Sequence, residues 1–198
     1  MGRKILYRLL TVQDAASYHS IRLECLKNYP NNFGDTYEEE QRISSSRFLS
    51  ELSQKQNHSF WYGAFDDQQL VGIAGFIQEK RLKTRHRGSL VQVYTSPSHS
   101  NMGIGNSLIK LTIEKAFENP EIEQILLSVV YTNEKAISLY KRFGFAEYGL
   151  IEDYFKSGEV YSSQLFMTLK RYDRPGLYKS KKEQLFKEFA TKWSELYR

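Results

Sequence analysis

Residues 90–145 constrain the fold more than any other stretch, because two short apolar strands alternate there with two helices in a spacing that points to a parallel strand pair. Residues 90–95, Leu-Val-Gln-Val-Tyr-Thr, are rich in β-branched and aromatic side chains and stop before Pro97. Ile104, Leu108, Leu111, Ala116 and Phe117 then recur at helical spacing through Glu118, with Pro120 just beyond. Residues 124–130 form a second apolar strand. Two strands joined through such a helix run side by side and parallel. After them Asn133 offers an N-cap, Glu134 an acidic first turn, Lys141 and Arg142 a basic last turn, and Gly144 a helix stop before Phe145.

The loop that enters the first of these helices carries Gly103-Ile104-Gly105. A helix start leaves backbone N–H groups unpaired and pointing outward, where the helix dipole also favours negative charge, so the loop suits a phosphate or pyrophosphate. It is not a dinucleotide fingerprint, because position 108 is Leu108 rather than a third glycine. Nor is it a P-loop, since Asn106 and Ser107 follow Gly105 in place of Lys and Ser or Thr. Taken alone, the glycine pair is equally compatible with a plain flexible helix start.

Two linked motifs extend this reading. Ser100, Gly103 and Gly105 occupy the positions of an Arg/Gln-x-x-Gly-x-Gly/Ala loop, with Ser100 in place of the basic or amide residue and Asn101 in place of a common glycine. Asn133, Ala136, Leu139, Tyr140, Gly144 and Phe145 complete Asn-x-x-Ala-x-x-Leu-Tyr-x-x-x-Gly-Phe. In these motifs the chain resembles the GNAT N-acetyltransferase superfamily, and the order of elements extends the resemblance over residues 5–170. The resemblance implies an α/β (α+β) sandwich: a mixed, mostly antiparallel sheet of about seven strands with a central splayed parallel pair and helices on both faces. Residues 1–172 would form the acetyltransferase domain, and residues 173–198 an added helix packed on it, with a dimer contact as its second use.

The activity implied is transfer of an acetyl group from acetyl-CoA directly to a primary amine of a small molecule or peptide. By resemblance the cofactor side comprises Val93, Tyr94 and Thr95, whose backbone would align the thioester, then Ser100, Asn101, Met102, Gly103, Ile104, Gly105 and Asn106, and finally Asn133. With Ser100 in the loop, the pyrophosphate falls to backbone donors, and His99 is the only cationic candidate beside them. Tyr140 becomes the general acid for the departing thiolate, although a core tyrosine would share the same helical face. Phe33 and Tyr37, with Asp35 and Glu38, become acceptor-side candidates. No carboxylate lies within residues 90–95, so the base is open among Glu24, His86, Glu152, Asp153 and a water relay. A non-catalytic CoA-binding sensor on the same fold is the alternative.

The remaining chain fits one core-forming unit of 198 residues, 40% hydrophobic and 14% aromatic. Residues 6–10 read as a first strand, and Thr11 or Asp14 as the start of a helix carrying Ala15, Tyr18, Ile21, Arg22, Cys25 and Leu26 on one face. Thr36 with Glu38, Glu39 and Glu40 reads as a capped acidic helix start, followed by a further helical segment over 45–55. Residues 59–65 and 70–78 read as a hairpin, with Gly72 and Gly75 marking either a bulge or a close approach of backbone or ligand, and 146–151 with 160–169 as the closing strands. The net charge of +5 permits acidic partners, yet no RNA-stacking motif accompanies it, so no specific nucleic acid is expected. The single Cys25 fits a reducing cytoplasm, no apolar run suggests a leader or membrane span, and the four histidines lack metal-ligand spacing.

Overall fold

The computed structural model describes residues 4–43 and 59–171. The helical expectations for 45–55 and 173–198 lie outside these residues. Seven strands form one sheet: β1 (Ile5–Leu9), β2 (Phe60–Asp66), β3 (Gln69–Gln78), β4 (Arg87–Thr95), β5 (Gln124–Val130), β6 (Ala146–Ser157) and β7 (Val160–Lys170). Their spatial order is β1-β2-β3-β4-β5-β7-β6, antiparallel throughout except for the parallel β4–β5 pair. The α+β architecture read from the motifs is therefore present, with its parallel pair at the centre.

Two apolar clusters hold helices on opposite faces of this sheet. On one face α3 (Ile104–Glu118) and α4 (Glu134–Arg142) contribute Ile104, Leu108, Ile109, Ala116, Ile137 and Tyr140 to a core that continues into Phe76, Ile125 and Met167. On the other face α1 (Ala15–Asn28) buries Tyr18, Ile21 and Cys25 against Trp61, Ile73 and Tyr94. α2 (Tyr37–Arg42) packs beside α1. It starts on the expected capping box: Thr36 Oγ1 accepts from the Glu39 backbone, and Glu39 Oε2 accepts from the Thr36 backbone. In α3 the buried position falls on Thr112, while Leu111 is only half-buried.

Two boundaries differ from the sequence reading. β4 begins at Arg87 rather than at 90, at the end of the basic run of residues 80–87 (Lys-Arg-Leu-Lys-Thr-Arg-His-Arg), because the tip of that run is tied down by Arg85 pairing with Glu121 at 2.6 Å and by Gln78 Nε2 donating to the Arg85 carbonyl at 2.6 Å. β6 runs to Ser157 rather than stopping at 151. Asp153 takes a left-handed backbone (φ 52°) where the register against β7 shifts, so the strand accommodates its polar interruption and resumes.

Candidate active site

The cleft begins where β4 and β5 stop pairing. Only Arg87–Gln124, Gly88–Ile125 and Ser89–Leu126 are in register; beyond them the two strands diverge. β4 stays attached to β3 through a bulge, in which Gln92 and Val93 face the single residue Ala74 and Gln92 adopts φ 54°. The bulge bends β4 away from β5. A cavity of about 920 Å³ opens between them, lined by residues 89–95 of β4 and 126–129 of β5. Backbone groups that a sheet would normally pair thus face open space.

At one mouth stands the glycine loop. Pro97–His99 forms a single 3-10 turn, Asn101 and Gly103 take left-handed backbones (φ 61° and 75°), and α3 starts with no side chain capping it. Its first N–H donors are therefore left for a ligand. A methyl group at Gly105 would lie 3.6 Å from Thr95 Oγ1, in the same mouth. Ser100, Asn101, Gly103, Ile104, Gly105 and Asn106 all line the cavity; Met102, 46% exposed, does not. His99 also borders the cavity, but its ring nitrogens are engaged by Ser98 Oγ (2.9 Å) and Asp66 Oδ2 (3.0 Å). Cationic side chains come instead from Lys135 and Arg142, which line the cavity from α4.

α4 supplies the facing wall. Asn133 caps it, its Oδ1 accepting from the Ala136 backbone at 3.2 Å, and the same side chain borders the cavity. About two helical turns further, Tyr140 packs edge-on against Phe145 at 5.9 Å and is only 8% exposed. Its hydroxyl makes no hydrogen bond to any described residue, yet it lines the cavity. Burial pushes its acidity constant up to about 12, so it holds its proton at neutral pH. The oxygen is not sealed off from the cavity, so a ligand there can complete its hydrogen bonding.

The second mouth opens on the α1 face. Tyr94 points there, its hydroxyl donating to Glu24 Oε1 at 2.8 Å and accepting from Asn28 Nδ2 at 3.3 Å, with Tyr29 edge-on at 6.0 Å. Burial pushes the Tyr94 hydroxyl well above the ordinary tyrosine value. Phe33 stacks near the buried Arg22, which pairs with Asp35 at 2.8 Å and approaches Glu40 at 3.5 Å. A second hollow of about 730 Å³ adjoins this mouth and shares Asn32, Phe33, Gly34, Asp35 and Phe155 with it. Tyr37 lines that hollow rather than the cleft. Among the described residues no cluster of three or more His, Cys, Asp or Glu could hold a metal, and no helix is long and apolar enough to cross a membrane.

Comparison with known proteins decides the family. The family model described as "Acetyltransferase (GNAT) domain" matches residues 7–164. The chain belongs to the GNAT acetyltransferase family. An N-alpha-acetyltransferase of Sulfolobus acidocaldarius is 29% identical over 167 residues, which is 79% of this chain and 90% of that protein. A spermidine N(1)-acetyltransferase of Vibrio cholerae is 31% identical over 90 residues, 45% of this chain and 50% of that protein. Among solved structures, a GNAT-family acetyltransferase from Streptococcus pneumoniae superposes with a TM-score of 0.78 at 20% identity, covering 85% of this chain and all of that one. A putative acetyltransferase from Salmonella typhimurium, determined with its cofactor acetyl-CoA, superposes at 0.76 and 15% identity over 88% of this chain and 98% of that one. At these identities the two structures speak to the fold.

This GNAT enzyme gathers most residues singled out from sequence into one cavity: Phe33, Val93, Tyr94, Thr95, the glycine-loop residues other than Met102, Asn133 and Tyr140. Arg22, Gln92, Lys135 and Arg142 line it as well. Nothing in the sequence marks the first, third and fourth as site residues: Arg22 sits among apolar residues of an amphipathic helix, and Lys135 and Arg142 have the pattern of ordinary helix charges. Gln92 carried a usable signal, an amide in the middle of an otherwise apolar strand.

Proposed function

We propose that this chain transfers an acetyl group from acetyl-CoA directly to a primary amine. The observation that carries the reading is the parting of β4 from β5 after three residue pairs, which opens a passage with an uncapped helix start at one mouth and the unpartnered Tyr140 hydroxyl on its wall. The residues present fit the cofactor: Gly103–Asn106 backbone donors suit a diphosphate, Lys135 and Arg142 supply positive charge, and the open edge of β4 suits an amide-bearing arm. When bound, acetyl-CoA supplies the thioester carbon that an amine attacks. Backbone groups of Val93, Tyr94 and Thr95 orient the acyl group, since preorganised donors act without reorganising. As the C–N bond forms and the C–S bond breaks, Tyr140 would give its proton to the leaving sulfur, and the proton shed by the amine would pass to solvent, from which the tyrosine is reprotonated. Asn133 caps α4 and holds the wall that carries Tyr140.

The names of the two relatives, one for α-amines and one for spermidine, support an amine acceptor for this chain. Residues 1–172 are taken as the acetyltransferase domain, a reading supported by the lining of the passage, all of which falls between Arg22 and Phe166. A reducing cytoplasm suits its one buried thiol. Isothermal titration with CoA and thiol release in the presence of an amine test the proposal together. Tyr140→Phe is expected to lower kcat about a hundredfold while CoA affinity stays within twofold. Failure of the wild-type chain to bind CoA at millimolar concentration overturns the reading; unchanged turnover in the variant removes Tyr140 from the acid role.

A further inference from the structure

Gln92 sits at the one point of β4 where the backbone leaves the extended region, φ 54° in the bulge against β3. A non-glycine residue held there needs its surroundings to fix it. They do so through its side chain. Oε1 accepts from the Tyr18 hydroxyl at 2.5 Å and from Trp61 Nε1 at 2.8 Å. Both partners are buried, 0% and 4% exposed. An indole N–H can only donate, so the oxygen of the amide must face the two aromatic rings and the nitrogen must face away. Gln92 Nε2 makes no hydrogen bond to any described residue and is not sealed from solvent, while Gln92 itself lines the cleft. Two fixed donors on one side therefore leave the amide's two N–H bonds turned from the rings and open to a partner.

Which ligand they meet follows from the face. Gln92 is anchored in the α1-side cluster with Tyr18 and Trp61, whereas Tyr140 and the start of α3 belong to the opposite cluster. Tyr94, two residues on, faces the same side and donates to Glu24. This mouth thus offers a fixed N–H donor and, two residues on, a tyrosine whose ring lines the cleft while its hydroxyl is anchored on Glu24 behind it. The adjoining hollow, reached past the Gly34–Phe155 contact, extends the mouth into a path for an elongated molecule. We propose that Gln92 is a specificity-determining residue that donates a hydrogen bond to a carbonyl oxygen beside the reacting amine, so that the acceptor is an extended peptide carrying a free α-amine rather than a polyamine. This rests on the acetyl-transfer reading above and names its acceptor class.

The test uses the full chain, acetyl-CoA, and two acceptors: a short peptide amide with a free α-amine, and spermidine, which has amines but no carbonyl. The readout is the ratio of kcat/KM for peptide over spermidine, measured by thiol release. Gln92→Glu keeps an oxygen for Tyr18 and Trp61 while replacing the outward donor by a second oxygen. It is expected to cut the ratio at least about tenfold, the loss of one hydrogen bond plus repulsion of the carbonyl. A peptide analogue whose first carbonyl is a methylene probes the wild-type enzyme without any variant. It is expected to lose about tenfold in kcat/KM with the wild type and to lose little further with Gln92→Glu. An unchanged ratio, an equal loss on both acceptors, or wild-type turnover of spermidine alone overturns the assignment and leaves acetyl transfer standing. Absence of thiol release with every amine, together with no CoA binding, overturns the transfer reading itself.

Discussion

Replacing Gly105 by Ala should raise the stability of the fold and lower its affinity for CoA at once. Gly105 is the second residue of α3 and has no left-handed backbone, so alanine is free of dihedral strain there. Removing the conformational freedom of a helical glycine is worth about 0.5–1 kcal/mol. In a chain of this size that corresponds to a rise in Tm of about 1–4 °C. The new methyl would meet only Thr95 Oγ1, at an ordinary 3.6 Å, so packing does not oppose the gain. Yet both Gly105 and Thr95 line the cleft, and the methyl stands where an anion would approach the first N–H groups of α3. Loss of one hydrogen bond to a charged group costs about 1.5–3 kcal/mol, or roughly tenfold to a hundredfold in Kd. Differential scanning calorimetry and CoA titration on the same preparation give both signs. A raised Tm with unchanged Kd would refute the placement of the diphosphate; a lowered Tm would refute the local backbone geometry.

Two further outcomes follow from titrating groups away from the cleft. Asp14 accepts from Arg8 at 2.7 and 2.8 Å and from the Thr11 backbone and hydroxyl at 2.8 and 3.0 Å, and these bonds, Arg8 first, hold its carboxyl down at about 2. Because the folded value lies below the unfolded one, its stabilisation is present above pH 4 and disappears as pH falls toward 2. Urea melts at pH 7 should show Asp14→Asn about 1–2 kcal/mol less stable, allowing for the 40% exposure of Arg8. The gap should close by pH 2; a gap independent of pH would show that the ion pair is not its source. Cys25 is fully buried, and burial pushes its thiol up to about 12. Iodoacetamide at pH 8 should leave it unmodified in the folded enzyme and alkylate it in urea; native-state labelling on the unfolding-independent timescale would contradict the core packing of α1.

The α+β order was legible because each element carries its own punctuation. Asn133 and Gly144 bracket α4, Thr36 and Glu39 open α2, and residues 124–130 coincide with β5. The glycine loop and Tyr140 were legible for a different reason, since spacing within a motif survives without coordinates. What escaped was long-range. Whether β4 and β5 zip together or separate depends on a bulge at Gln92, and a bulge is a property of two strands in register. Likewise His99 reads as a free cation until Asp66, from the far end of β2, arrives beside it. Arg22 and Gln92 gain meaning only once α1 lies across the sheet.

A sheet normally has two borders, and among the described residues this one has three. The outer borders are β1 and β6; the third runs down the middle, along the inner sides of β4 and β5 past Ser89 and Leu126. An outer border is open to any passing strand, and β6 meets that hazard with an irregular register and a left-handed Asp153. The interior border is walled by α3, α4 and the α1–α2 connection, so a second protein chain cannot dock on it in strand fashion. Only something slim enough to thread the passage can reach those backbone groups, which lets the molecule keep them vacant for a small ligand without courting self-association.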